Sequence, residues 1–318
     1  MLRHLGTAAA LALAASLATG AHAQERITYK SAKAGSSYYQ MGVEIAEAIK
    51  AGTGGDVSVT VEESQGSVQN VMEVRARGAD YVFTTPPALV ALAQEGKAMF
   101  EGKGNPAFAE IRALFPIPSL TMHFVVSGDA GVETFADLEG KTILLGSGSF
   151  GATEGQKYLE MFGLDGKVEI ANAELSNAVA ALKNGQIDAF VTAGSYPAPN
   201  VIEAAASTDV KVLSLSDDQV AETKRTKTVI PAGTYAGQDS DVVTTSLPVV
   251  AFATAEMSDD TAYLLTKTFW DEQATLADAS PWWAAVTPEM METVTTQIHP
   301  GALRYYEEIG APINPSQK

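Results

Sequence analysis

The sequence predicts an α/β protein built as two lobes around a ligand cleft, and three observations carry that prediction. Apolar strand patterns alternate with helical ones from Ile27 onward, as in proteins whose sheets are mostly parallel. The strand–loop–helix ITYKSAKAGSSYYQMG is echoed by TILLGSGSFGATEGQKYL, and VMEVRARGADYVFTTPP by VAALKNGQIDAFVTAGSYP. The echoes lie roughly a hundred residues apart, too far for a solenoid repeat. Finally, the length suits two lobes rather than one small core, since single cores usually stop growing near ~250–300 residues.

Residues 1–23 read as a cleaved secretory signal. MLRHLG carries early positive charge, TAAALALAASLA is a short apolar run, and Ala21 and Ala23 precede a cut before Gln24. No later stretch approaches the ~20 apolar residues of a membrane span, so the mature chain is expected to be exported, without direct membrane insertion. The expected lobes are 24–120 with 250–318, and 121–249. LTMHFVVSG and SLPVVAFAT are the crossings; neither is a Gly/Ser linker, so the lobes should move as a hinge.

Each element has its own warrant. ITYKSA is a strand that enters the small-residue loop KAGSS, and the helix after it carries Tyr38, Met41, Ile45 and Ile49 at helical spacing. VSVTVEE alternates as a strand does. VQNVMEVRARG reads as a helix closed by Arg75, Arg77 and Gly78, and ADYVF as the next buried strand. KTILL repeats the pattern before GSGSFGAT and the helix TEGQKYLEMFGL. DDTAYLLTKTFWDEQ and TPEMMETVTTQ form a helical tail.

Composition removes several functions. The chain has 21 Lys+Arg against 38 Asp+Glu; losing Arg3 with the signal leaves 20 against 38, a net of −18. That field repels nucleic acid, which is excluded as a partner. No cysteine is present for a disulfide, a thiolate or a metal. Only His123 and His299 remain after the signal, in no ligand spacing. No metal, cofactor or catalytic residue is therefore expected.

Gly146, Gly148 and Gly151 fit G-x-G-x-x-G, and Glu174 lies near where a ribose acid would be sought. The fit is weak for NAD, because the loop sits mid-chain in an exported protein. GKT at 140–142 is not a phosphate loop, since Phe135 stands where glycine is needed, and no G-x-S-x-G marks a hydrolase. A different logic joins KAGSS and GSGSFGAT. Small residues admit a ligand to the backbone, and each loop ends at a helix N-terminus, which favours an anion. Ser36, Ser37, Ser147, Ser149 and Thr153 add hydroxyls. The alternative is that these residues only cap helices and tighten turns.

Other candidates are open to both readings. Ser64 and Ser67 follow a strand and start a helix; Thr84 and Thr85 precede Pro86 as a cap would, or turn a hydroxyl to the cleft. Tyr38 belongs to the apolar stripe, leaving Tyr39 freer to meet a ligand. Tyr196 follows the matching strand of the second lobe. Lys33 is either a carboxylate partner or a solvated lysine, and Trp282 and Trp283 are packing or rim residues.

Taken in order, SAKAGSSYYQMG, ESQGSVQN, ADLEGKTILLGSGSFGAT, ALKNGQIDAFVTAGSYPAP, IPAGTYAGQDSDVVT and HPGALRYYEE resemble the TAXI family of TRAP transporter solute-binding proteins. The resemblance spans almost the whole mature chain. It implies a two-lobed periplasmic binding protein fold, type II-like, closing on a small carboxylate: a dicarboxylate, a 2-oxoacid or a glutamate-like ligand. It further implies delivery to TRAP integral membrane subunits. By position it points to Gly35, Ser36, Ser37, Tyr39, Ser64, Ser67, Ser147, Gly148, Ser149, Thr153 and Tyr196. The family loop runs close to T-G-S-x-G-G-T-Y-Y; here Lys33 replaces a small residue and Ser36 a glycine. After Asp80 this chain has Phe-Thr-Thr-Pro-Pro where many members carry Gln and Asp, which favours a ligand without an ammonium group. An exported sensor or adaptor domain would use the same cleft; an exported enzyme would need a base there.

Overall fold

The computed structural model describes residues 24–318 except Gly35 and Gly148; the signal assignment and those two glycine candidates lie outside the described residues. In chain order the strands are β1 (Glu25–Lys30), β2 (Val57–Glu62), β3 (Tyr81–Thr85), β4 (Ile111–Ser127), β5 (Thr142–Leu144), β6 (Glu169–Ala171), β7 (Ala189–Gly194), β8 (Val210–Val212), β9 (Thr226–Ile230) and β10 (Val242–Thr254). The α-helices are α1 (Ser37–Gly52), α2 (Ser67–Glu73), α3 (Pro87–Glu95), α4 (Phe150–Met161), α5 (Ala178–Lys183), α6 (Pro199–Ser207), α7 (Asp217–Thr223), α8 (Asp259–Asp271), α9 (Gln273–Ala279) and α10 (Pro300–Glu308).

The strands join in the order β2-β1-β3-β10-β4-β7-β5-β6, with β8 on β4 and β9 on β10. β1 is parallel to β2 and β3, and β5 is parallel to β6 and β7. Between these two parallel groups run β4 and β10, antiparallel to each other. One end of β10 pairs with β3 and the other with β9, while β4 pairs with β7 and β8 beyond Leu120. The two long strands therefore carry the chain from one group to the other and back. Their register breaks in the middle: Leu247 faces Leu120 and Val249 faces Ile117, so Pro118 and Ser119 oppose Pro248 alone. Proline has no N–H to give the ladder, and the extra residue bends it.

The expected helical stripe on α1 is realised, with Tyr38, Met41, Ile45 and Ile49 all buried. Two expected helices differ. VQNVMEVRARG is α-helical only to Glu73 and then tightens to a 3₁₀ turn, and residues 288–293 are 3₁₀ as well. Segments this short gain little from α-helical propagation, and 3₁₀ turns are common at helix ends and in short connecting pieces. One large core runs through the molecule. A smaller cluster with Leu144, Phe190, Val201 and Tyr235 lies under α5 and α6. No helix among the described residues is long and apolar enough to cross a membrane.

Candidate functional site

The carboxyl ends of β1, β3, β5 and β7 converge on a cavity of about 390 Å³ lined from both parallel groups. This is where open α/β sheets place ligands. α1 starts at the wall with Ser36 as N-cap: its Oγ accepts the Tyr39 N–H at 3.2 Å and donates to the Lys33 carbonyl at 2.7 Å. α4 starts at the facing wall with Ser149 as N-cap, its Oγ accepting the Ala152 N–H at 3.0 Å. Each cap takes one of the orphan first-turn donors of its helix. The helix dipoles leave both edges of the cavity favourable to negative charge.

Glycine sets how closely α4 approaches. A Cβ on Gly151 would stand 3.1 Å from Ala193, and one on Gly155 would stand 3.0 Å from Val191 Cγ1, so both pack α4 onto β7. Gly146 has φ of 78°, and a Cβ there would meet Leu175 at 2.9 Å. The glycine spacing of the loop thus serves a tight turn and close helix–strand packing.

Seven of the sequence candidates border the cavity: Lys33, Ser36, Ser37, Ser67, Thr84, Ser147 and Ser149. Ser147 Oγ donates to Asn172 Oδ1 at 3.0 Å. Thr84 is a β3 residue rather than a helix cap and donates to the Tyr29 hydroxyl at 2.8 Å. Five candidates do not border it. Thr85 alternates to the other side of β3, where its buried hydroxyl has no partner. Ser64 is spent on its own turn, accepting from the Gly66 N–H at 2.8 Å. Thr153 points out to solvent from α4, Tyr39 is half-buried in the first turn of α1, and Tyr196 packs on the smaller core cluster. Tyr38, expected as core, is buried and also lines the cavity, its hydroxyl donating to the Pro118 carbonyl at 2.9 Å.

The acidic part of the wall was not read from the sequence as such: Glu174 stood out only as a possible ribose acid, and Glu63 and Glu203 not at all. Glu63, Glu174 and Glu203 all line the cavity, and Lys33 is the one cation among the described lining residues. Lys33 Nζ lies 3.2 Å from Glu174 Oε2, an ion pair that spans the cavity mouth. Glu63 accepts the Ala34 N–H at 3.1 Å, holding the first loop. Asn70 was also missed. It is wholly buried in α2, and its Nδ2 donates to the carbonyls of Ser31 (2.7 Å) and Thr84 (2.8 Å), which ties the ends of β1 and β3 together beneath the cavity. A buried polar residue three positions after Ser67, on the inner side of the helix, was the available signal.

Both histidines are committed elsewhere. His299 caps α10, accepting the Gly301 N–H at 3.2 Å and facing the Met257 carbonyl at 3.1 Å. His123 is buried in β4 against the Tyr235 hydroxyl at 2.8 Å, and burial pushes its pKa down to about 4.

Two parallel α/β groups joined by a pair of long strands, with a cavity at the strand ends between them, define the mixed α/β type II fold of periplasmic binding proteins. The periplasmic binding protein BugD shares it at a TM-score of 0.57 and 11% identity, covering 92% of this chain and 99% of that one. The aliphatic sulphonate binding protein SsuA from Escherichia coli aligns over 92% of this chain and 96% of that one, at 15% identity and a TM-score of 0.46. Over residues 30–310 the chain matches the NMT1-like family, and it belongs to that family.

Proposed function

We propose that the protein is an extracytoplasmic receptor, not an enzyme, that captures a small carboxylate between its lobes and passes it to TRAP transporter membrane subunits. The observation that carries this reading is the pair of serine-capped helix N-termini, α1 and α4, facing one cavity from opposite halves. The lobes proposed are 24–120 with 250–318, and 121–249, turning at the register break of β4 and β10. The chain would work in the periplasm after loss of residues 1–23. The TRAP partner rests on the TAXI resemblance.

The electrostatics suit local capture. An acidic protein does not collect an anion by its overall field, so binding rests on donors inside a closed cavity. Charged hydrogen bonds there contribute ~1.5–3 kcal/mol each, and four or five support micromolar affinity, about −8 kcal/mol, after ordering costs. Lys33 reaches a ligand carboxylate by leaving Glu174. The wall carboxylates Glu63, Glu174 and Glu203 change one expectation, because an ammonium group has counter-ions there. Glutamate-like ligands therefore stand beside dicarboxylates and 2-oxoacids.

The test is a thermal-shift panel on residues 24–318, refolded from denaturant, against mono- and dicarboxylates, 2-oxoacids, glutamate, glutamine and NAD. A ligand at a hundred times its Kd should add ~2.7 kcal/mol, a shift of several degrees. Response to one carboxylate class supports the receptor reading. Silence across the carboxylates with a response to NAD would overturn it.

A further inference from the structure

We infer that Tyr235 is a positioning residue for the cavity: its hydroxyl fixes the wall that begins at Ala198 to the strand crossing between the two halves. The inference rests on reading the cavity as the ligand site. Ala198, Pro199 and Asn200 line the cavity at the start of α6, and Ala198 has no side chain able to cap that helix. The Ala198 N–H instead donates to the Tyr235 hydroxyl at 2.9 Å. That hydroxyl lies 2.8 Å from His123 Nε2, and His123 Nδ1 lies 3.1 Å from the Thr121 carbonyl.

Donor and acceptor roles follow along the whole chain. A carbonyl only accepts, so His123 Nδ1 carries the proton and Nε2 is an acceptor. Tyr235 then donates to Nε2 and accepts from Ala198, which satisfies every buried group in the series. The series ends on β4 at Thr121, which pairs with Gly194 on one side and Ser246 on the other, beside the register break.

The loop that presents Tyr235 is stiff. Gln238 Nε2 lies 3.0–3.1 Å from the carbonyls of Ile230, Pro231 and Ser240, which share its two hydrogens, and its Oε1 accepts the Tyr235 N–H at 3.2 Å. Gly233 and Gly237 both take positive φ, near 78° and 77°, in this turn. The motif AGTYAGQD thus folds on itself and offers one hydroxyl to the wall.

Three substitutions test this by amide hydrogen exchange in the ligand-free protein. Tyr235→Phe keeps the ring and removes the hydroxyl; exchange at Ala198 and the first turn of α6 should quicken at least ~tenfold, as loss of a buried hydrogen bond implies. Protection in α1 and α4 should hold. His123→Leu should loosen the same segment, whereas His123→Gln, whose amide oxygen can still accept from Tyr235, should restore most of its protection. In the wild type, ¹⁵N shifts of His123 should report the Nδ1–H tautomer. Any panel member that binds the wild type should bind Tyr235→Phe about tenfold more weakly. Unchanged exchange at Ala198 in Tyr235→Phe, or identical exchange in the Leu and Gln variants, would overturn the inference. Should no carboxylate bind the wild type, the proposed ligand class fails while the exchange result still decides the role of Tyr235.

Discussion

Ser36 and Ser149 bind their own helices before they can bind anything else, because each hydroxyl already accepts a first-turn N–H. Alanine at either should cost about 1 kcal/mol of stability, the usual loss of a serine cap, and should weaken carboxylate binding too. Ser147 is exposed and bonded only sideways to Asn172, so Ser147→Ala should weaken binding with little change in melting temperature. Melting and titration calorimetry on the three variants separate the two effects. His123 brings a pH dependence with a definite sign. Its pKa falls to about 4 on burial against an ordinary value near 6.5, so between those values the unfolded chain takes up a proton that the native one refuses. Stability is therefore complete above about pH 6.5 and falls by ~3 kcal/mol towards pH 4. Burial pushes His299 down as well, in the same direction. Chemical denaturation from pH 7 to 4.5 should show the slope, and His123→Gln should flatten part of it. The serines were legible because small residues before a helix have a local signature. Tyr196 and Thr153 were not, since which way a side chain points depends on what the helix or strand packs against. The acidic wall was hidden for the same reason: Glu63, Glu174 and Glu203 meet only in three dimensions.

At the scale of elements, the motif HPGALRYY is an account of helix docking. His299 caps α10, Pro300 occupies its first turn, and Tyr306 donates to the Leu114 carbonyl at 2.9 Å. Gly301 sits where α10 crosses α8, and a Cβ there would stand 1.9 Å from the Asp259 carbonyl oxygen, closer than real atoms come. Gly301→Ala should destabilise by at least ~1–3 kcal/mol, visible as a melting temperature lower by several degrees, with early loss of protection in α8 and α10. A second C-terminal contact pins α1 itself: Glu44 accepts from the indole N–H groups of Trp282 (3.1 Å) and Trp283 (2.6 Å) and from Ser280 (2.6 Å). The alternation of strand and helix was readable from periodicity, and LTMHFVVSG and SLPVVAFAT fall on two long strands, β4 and β10. The full length of these strands was not readable, because Ile111–Ser127 and Val242–Thr254 are buried along most of their length, and continuous apolar runs carry no boundary signal.

For the whole molecule, the Lys33–Glu174 pair joins the loop after β1 to the segment after β6. Its side chains are 29% and 63% exposed, so water and salt screen it, and pairs of this kind contribute about 0–1 kcal/mol. Its larger effect is on ligand competition. Glu174→Gln should free Lys33 and raise affinity for dicarboxylates a fewfold, and Lys33→Gln should lower it; calorimetry at two salt concentrations would read both. The paired crossings have a consequence of their own. β4 and β10 lie side by side and bond to each other across the middle, with their bends at the same level. Two separate tethers would let the halves twist, slide and splay; one laminated strap bends like the spine of a book. On the proposed receptor reading, the length of the ligand between the covers would set a single opening angle, and a membrane subunit gripping both covers would gauge the cargo by that angle without touching it.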